Sequence, residues 1–533
     1  MAAQQERFIS GGVNVVESDF LFEDELVDRF AQQLNFFPQE KIYLHTDKPY
    51  YLSGERIWFR AYLADASSHI PVSYSRYVYV ELINPLDTAV VRVKIREEEG
   101  AYYGYLPIPN DAPEGNYTLR AYTTFIRSQD ENYFFTKAIR IGDPQSGTVH
   151  VDTDFKFTPG NRGMERIDVT FRFSQINLNG SFDPFVPQSA RVSVNKGPPM
   201  AVSIASDGTA GITFDLPANS RQRTILVETV TSRNPYLQYI LIPTPDDDFD
   251  VTFYPEGGSL MQGVSCKVAF KAMQSNGQVT PIAGVIFDQN GIKVSEIHSD
   301  YLGMGSFVHP AEKGKSYYAV CENDKGQSKR FDLPAAFDRG YSLTVNPIMD
   351  RIRISVLQPA DTKQNDTLYL LAHTRGEVHF VELWNHDRNL FVIPKDALPS
   401  GVLHLVLFDA GSNPVSERLV FINNMDDYAQ VDCQTNQSNF VRRSLVTNRT
   451  KVTDIDGQPV TGSFSVSVTS DKEVKPDSTS SIFTQLLLSS DLYGYIEKPA
   501  YYFQKIPEAT FALDLLMLTQ GCKAPAKTHR FLK

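Results

Sequence analysis

Apolar and polar residues alternate with a period of two along most of the chain. Ile57, Phe59, Ala61 and Leu63 alternate with Trp58, Arg60 and Tyr62, and Ile167, Val169, Phe171 and Phe173 oppose Asp168, Thr170, Arg172 and Ser174. Ile352, Ile354 and Val356 stand against Arg351, Arg353 and Ser355, and Phe464, Val466 and Val468 against Ser463, Ser465 and Ser467. One apolar and one polar face per strand is the pattern of antiparallel sheets packed on one side. Two regions depart from it. SDFLFEDELVDRFAQQL predicts a helix capped by Ser18, with Phe20, Val27, Phe30, Ala31 and Leu34 near one face and Pro38 as a stop. SSIFTQLLLSSDL and PEATFALDLLMLTQG predict helix again, ending at Gly521. Phe511, Ala512, Leu515, Leu516 and Leu518 cover more than one narrow stripe, so this helix is expected to bury against the rest of the chain.

Turn residues punctuate the alternating runs, as in NGIK, GNYT and DIDGQP. An aromatic strand followed by proline recurs as GYLP at Gly104, GITFDLP at Gly211 and GSFVHP at Gly305, at steps close to the ~100 residues of one β-sandwich. DAPEGNYTL from Asp111 is echoed by DALPSGVLHL from Asp396. Linker-like stretches, IGDPQSG, PTPDDDFD, LPAAFDRG and INNMDDYA, fall where the repeat places joints. The expected fold is all-β: a helical lead over 1–40, then about five immunoglobulin-like sandwiches. Their expected spans are 41–145, 146–247, 248–337, 338–425 and 426–533, the last with a helical insertion.

Composition narrows the function classes. Hydrophobic residues at 42 % supply real cores, and charged residues at 21 % are too few for general disorder. The balance of 51 basic and 63 acidic residues, −12 net, gives no footprint for nucleic acid. The 26 Tyr and 34 Phe suit strands. Four cysteines are too few for a disulfide framework, and none has zinc-ligand spacing. Cys266 and Cys321 are the pair to test: both fall on inward strand positions, as a bridge across a sandwich or as two small buried hydrophobes. The chain opens with MAAQQERFIS, which lacks the apolar stretch of a secretory signal, and no run of eighteen apolar residues marks a membrane helix.

Catalytic motifs are absent: there is no GxSxG, HExxH, Walker loop or GxGxxG. No enzyme activity and no cofactor are expected. His373, His379 and His386 share a short stretch, but one straight strand cannot put all three on one face. Asp246, Asp247, Asp248 and Asp250 form a candidate calcium cluster at a domain joint, without the regular spacing and glycine of a calcium loop. Glu97, Glu98 and Glu99 before Gly100 read as a charged hairpin tip. Tyr102, Tyr103 and Tyr105 form a candidate sugar-stacking row or an edge cover.

The stretch KIYLHTDKPYYLSGERIWFRAYL resembles the second macroglobulin-type domain of the α2-macroglobulin family. The resemblance is carried by Thr46, Asp47, Lys48, Pro49, Tyr51, Gly54, Glu55, Phe59 and Arg60, and continues through INPLDTAV and GAYYGYLPIPNDAPEGNYTLRAYT. VTDIDGQPVTGSFSVSVTSDKEV looks like a later domain of the same family. In the motif Pro49 fixes φ and Gly54 supplies the positive φ of a tight turn, so it marks a fold first. Proteinase-trapping members use an exposed bait segment and often a Cys-Gly-Glu-Gln thioester; that tetrapeptide is not present, and Cys522 has no glutamine partner downstream. Ser470 to Ser481, with Lys475 and Pro476, is the polar loop standing where a bait segment is expected. A closer likeness is to bacterial envelope proteins that begin with this domain, some of which run on into a TonB-dependent-receptor plug. That likeness implies an exported, periplasmic or outer-membrane-associated binding scaffold whose partner is an envelope protein or a proteinase. The basic tail with Lys523, Lys527, Arg530 and Lys533 breaks with what precedes it, as a truncated end would.

Overall fold

In the computed structural model, strands dominate; the longer helices lie towards the two ends, and one short helix, Thr124–Gln129, sits in the first unit. The structure describes residues 17–521 apart from 37–38, 145–148, 178, 232–234, 246–247, 349, 362–364, 425–427, 471, 473, 476 and 478–479. Four two-sheet units follow one another. The first packs a three-stranded sheet (Glu40–Thr46, Arg56–Asp65, Tyr102–Pro107) on a five-stranded one containing Tyr77–Asn84 and Gly115–Thr123. Its core is the inward row that alternation predicts: Ile42, Leu44, Ile57 and Phe59 against Val78, Val80, Leu82 and Leu119. In the second unit Ile167, Val169, Phe171 and Phe173 face Val192, Ile225 and Val227. The third is built on Val268, Phe270, Ile286 and Ala319, and the fourth on Ile352, Ile354, Leu370, Leu403 and Leu405. Each such fully buried side chain contributes roughly 1.5–3 kcal/mol of apolar transfer.

Cys266 and Cys321 both reach the core of the third unit, from its two opposed sheets, and both are free thiols. The bridge is therefore not made. The Met261 N–H donates to the Cys266 sulfur at 3.4 Å, and burial pushes the Cys321 thiol up to about 12, so these are small buried hydrophobes.

The strand Leu368–Thr374 breaks the rule of one apolar face, being buried at every position. The N-terminal helix, Glu17–Phe36, covers its second face: Leu26 and Phe30 pack on Leu371, Val406 and Phe408. The buried stripe is thus Leu26 and Phe30, four apart, while Val27 and Ala31 stay exposed. The expected face is corrected by this rotation, and Phe20 lies among residues whose side chains are not described.

Among the described residues no fifth sandwich is formed. Among the described residues 428–470 contain one antiparallel hairpin, Gln430–Thr435 with Asn448–Thr453. Phe464, Val466 and Val468, expected on an inward strand face, are exposed and belong to no sheet. The reason is in the numbers of apolar rows. Every residue of the first hairpin strand is exposed, and among the described residues no second sheet stands opposite to cover it.

After this region the chain becomes helical and returns to the sandwiches. A short turn of helix at Ile482–Thr484 is capped reciprocally by Ser481 and Thr484. It leads through Gln485–Ser489 and Pro499–Phe503 to a final helix, Pro507–Thr519. Ala509, Ala512, Leu513, Leu515, Leu516 and Met517 of that helix are buried, together with Met304 of the third unit and Val402 and Leu419 of the fourth. Among the described residues no helix is long and apolar enough to cross a membrane.

Two buried ion clusters fix this segment. Arg418 of the fourth unit binds Glu256 of the third at 3.0 Å and Asp514 of the final helix at 2.6 Å, and Lys267 reaches Asp514 at 2.7 Å. At the other junction Lys41 of the first unit binds Asp491 at 2.5 Å, with Arg375 of the fourth at 3.6 Å. Ser67 and Arg375 exchange hydrogen bonds to each other's carbonyls at 3.0 and 3.1 Å. The first and fourth units, far apart in sequence, are thereby joined directly.

Candidate protein-binding surface

The motif residues build a tied turn. The Asp47 carboxylate accepts from the Tyr51 hydroxyl at 2.6 Å and from the Trp58 N–H at 3.0 Å, and the Tyr51 hydroxyl itself accepts from the Lys48 N–H. Lys48 binds both Glu55 oxygens at 2.8 Å, and the Leu52 N–H adds a third donor to that carboxylate. Burial alone would raise Glu55; Lys48 and the Leu52 N–H outweigh it and hold the carboxyl below its usual range. Thr46 donates to the Lys48 carbonyl. Gly54 takes φ +82°, and a β-carbon there would meet the Asn110 side chain at 2.7 Å. Tyr51 and Phe59 are buried in the core beside Pro49's turn. These residues hold the fold; Arg60 alone among them reaches a distant segment.

Arg60 points outward on the three-stranded sheet, in a row that reads Arg56, Trp58, Arg60, Tyr62. Antiparallel register sets Trp58 opposite Tyr105, and Arg60 opposite Tyr103 on one side and His45 on the other. Trp58 is 50 % exposed and Tyr103 53 %. The Trp58 and Tyr105 rings lie 4.8 Å apart at 52°, and the Arg56 guanidinium sits over Tyr105 at 4.5 Å. Tyr103 donates to Glu98 at 3.1 Å. Tyr102, by contrast, turns inward and is buried. The clue in the sequence was an aromatic pair, Trp58 and Tyr62, in the polar row of an otherwise clean alternation.

Residues 461–468 lie across the other end of this face. Arg60 donates to the Ser463 hydroxyl at 2.7 Å and to the Phe464 carbonyl at 3.1 Å. The Ser465 hydroxyl is 2.7 Å from the Tyr62 hydroxyl and 2.6 Å from Nδ1 of His45. Ser463 and Ser465 of the alternating run therefore meet the first unit, and Phe464, Val466 and Val468 face solvent.

The remaining candidates do not converge. Of the aspartate cluster, Asp246 and Asp247 lie outside the described residues. Asp248 is engaged by Lys329 at 2.8 Å, which with the Phe249 N–H lowers its carboxyl, and Asp250 is exposed. Among the described residues no group of three or more His, Cys, Asp or Glu could hold a metal. His373 packs between Phe30 and His404, His379 contacts Thr374, and His386 contacts the Asp366 carbonyl. In the polar loop Ser470 and Lys475 are exposed and Pro476 lies outside the described residues. Its neighbours are anchored: Val474 is buried, Asp477 pairs with Lys137 at 3.2 Å, and Ser481 caps the next helix. A groove of about 590 Å³ between the third and fourth units is lined by Phe337, Arg339, Tyr341, Asp366 and Asp409. Asp409 is taken up by Gly411 and Asn413, and Asp366 by Tyr341.

The fold and this face define a tandem β-sandwich protein whose open surface lies on its first unit. No protein-family pattern matches the chain. No curated protein sequence matches it. Among solved structures, it is similar to a Salmonella α2-macroglobulin reacted with methylamine, at 10 % identity and a TM-score of 0.31, over 78 % of this chain and 32 % of that one. Trypsin-activated α2-macroglobulin from Escherichia coli matches at 11 % identity and 0.32, over 78 % and 33 %. A biofilm-associated protein domain matches at 10 % identity and 0.20, over 73 % and 97 %. The chain spans about a third of the length of the α2-macroglobulins it matches.

Proposed function

We propose that this chain is a non-enzymatic, macroglobulin-like scaffold that binds another protein. One observation carries the reading: an aromatic, partly cationic sheet face and an apolar segment, 461–468, lie exposed side by side on the first unit, the segment held in place by Arg60, Tyr62 and His45. Exposed Trp, Tyr and Arg at the centre of a patch are the residue types that anchor protein interfaces. A sugar platform is less well served, because the Trp58 and Tyr105 rings are tilted and Arg56 covers one of them. Export to the cell envelope, and a link to an outer-membrane TonB-dependent system, rest on the resemblance of the Thr46 to Arg60 motif.

The test is retention of envelope proteins on the immobilised chain, compared with the double variant Trp58→Ala, Tyr105→Ala. Both side chains are exposed enough that the fold is expected to survive. Selective retention lost by the variant supports the reading; equal retention by both contradicts it. Proteinase inhibition is the second reading, favoured by the exposed Lys472 in the polar loop. Incubation with trypsin followed by native sizing separates the two, since an inhibitor stays bound to the proteinase after cleavage at Lys472, the bond after Lys475 being blocked by Pro476.

A further inference from the structure

Resting on that binding reading, we propose that residues 461–468 accept a β-strand from a partner protein: an extended segment with apolar residues at alternate positions and acidic residues between them.

The run from Thr461 to Val468 has the composition of a strand but lacks a neighbour. Its ladder with Asn448–Thr453 begins, at Val460 N–H to the Val452 carbonyl, 3.1 Å, and the Thr453–Pro459 bridge, and then stops. Among the described residues no backbone–backbone hydrogen bond is made by 461–469; the Phe464 carbonyl is occupied by Arg60. An extended backbone with open N–H and C=O groups is a template for strand addition. Free strands of this kind normally collapse or fray. This one is fixed by four contacts, of the Ser463 and Ser465 hydroxyls and the Phe464 carbonyl to Arg60, Tyr62 and His45. Fixing Ser463 and Ser465 also fixes which side faces out. Phe464, Val466 and Val468 are 53, 74 and 89 % exposed, a spacing that matches alternate side chains of an incoming strand.

Charge selects the occupant. The adjoining hairpin and its loop carry Arg442, Arg443, Arg449 and Lys451, all exposed, against Asp432, with Asp454 and Asp456 in the turn that follows; Arg449 and Lys451 are on the strand that Val460 joins. A second copy would bring two basic clusters together, which like-charge pairing across strands disfavours. An acidic strand complements them and continues the sheet already started at Val452. Strand addition is also continuous with the aromatic face of Trp58 and Tyr105, so one partner can contact both.

The test uses the full chain and a synthetic eight-residue peptide alternating valine with glutamate. A second peptide alternates valine with lysine, and a third carries proline at the central valine. Binding is followed by fluorescence anisotropy and by amide exchange. We expect the glutamate peptide to bind, to protect amides within 462–468, and to bind at least tenfold more tightly than either control. Val466→Pro, which removes an N–H at an exposed position, and Val466→Glu with Val468→Glu are both expected to abolish binding. No binding of the glutamate peptide, binding untouched by these variants, or self-association of the chain protecting the same amides would each overturn the proposal. The binding reading has its own separate readout: retention dependent on Trp58 and Tyr105 survives failure of the peptide test, and its loss sinks the broader reading as well.

Discussion

Asp47 shows what one residue of the motif does. Its carboxylate gathers the Tyr51 hydroxyl and the Trp58 N–H, so Asp47→Asn should lose a charge-assisted pair and destabilise the first unit by about 1–3 kcal/mol. Denaturant melts of the variant followed by Trp58 fluorescence would show it. His309 gives a pH dependence. It is fully buried between Phe307 and Tyr317, with neither ring nitrogen hydrogen-bonded, and burial lowers its pKa to about 4 although Glu312 pulls the other way. The unfolded chain takes up this proton below about pH 6.5 and the folded one does not. Stability is therefore complete above that pH and falls as pH drops towards 4, and His309→Phe should flatten the decline of the melting temperature between pH 7 and 5. The motif residues were legible in the sequence because turn chemistry is local. Arg60 was legible as part of the motif, but its hydrogen bonds to Ser463 and Phe464 span some four hundred residues, and no local pattern encodes them.

At the scale of elements, period-two alternation identified strands in all four formed sandwiches, including Arg56–Asp65, Met164–Ile176 and Arg351–Leu357. It failed on 463–468 for a physical reason. Alternation reports that one face prefers burial, not that a second sheet exists to bury it. The helix Pro507–Thr519 was legible from its excess of apolar positions, and its burial between the third and fourth units explains why one narrow stripe would not suffice. Asp514 is the charged residue on its buried side. Burial would raise its carboxyl, but Arg418 and Lys267 hold it below the usual range. Asp514→Ala would leave Arg418 buried with one partner lost, at a cost of about 3–5 kcal/mol. The helix should then detach before the sandwiches melt, giving earlier trypsin cleavage near Lys505. Because the folded carboxyl is depressed, its contribution is present above about pH 4 and disappears as pH falls further. Amide exchange across the final helix, Pro507–Thr519, should rise over the same interval in the unaltered chain, after correction for intrinsic exchange.

Across the whole molecule, the helical C-terminal segment ties units that are distant in sequence, through Lys41, Arg375 and Asp491 at one junction and Glu256, Arg418 and Asp514 at the other. Limited proteolysis should reflect this architecture. The exposed hairpin around Arg442 and Arg443 is expected to be cut first, while the four sandwiches stay associated on native sizing. On the binding reading, a partner meets the first unit beside that hairpin, against the sheet that carries Arg60 and Tyr62. The most direct test is amide exchange on the full chain, alone and with the retained envelope protein. The account predicts rapid exchange of 462–468 in the free chain and a footprint on partner binding at 56–62, 102–107 and 462–468. Slow exchange of 462–468 in the free chain, or a footprint confined to the Ser470 to Ser481 loop or the Arg339 groove, would contradict it.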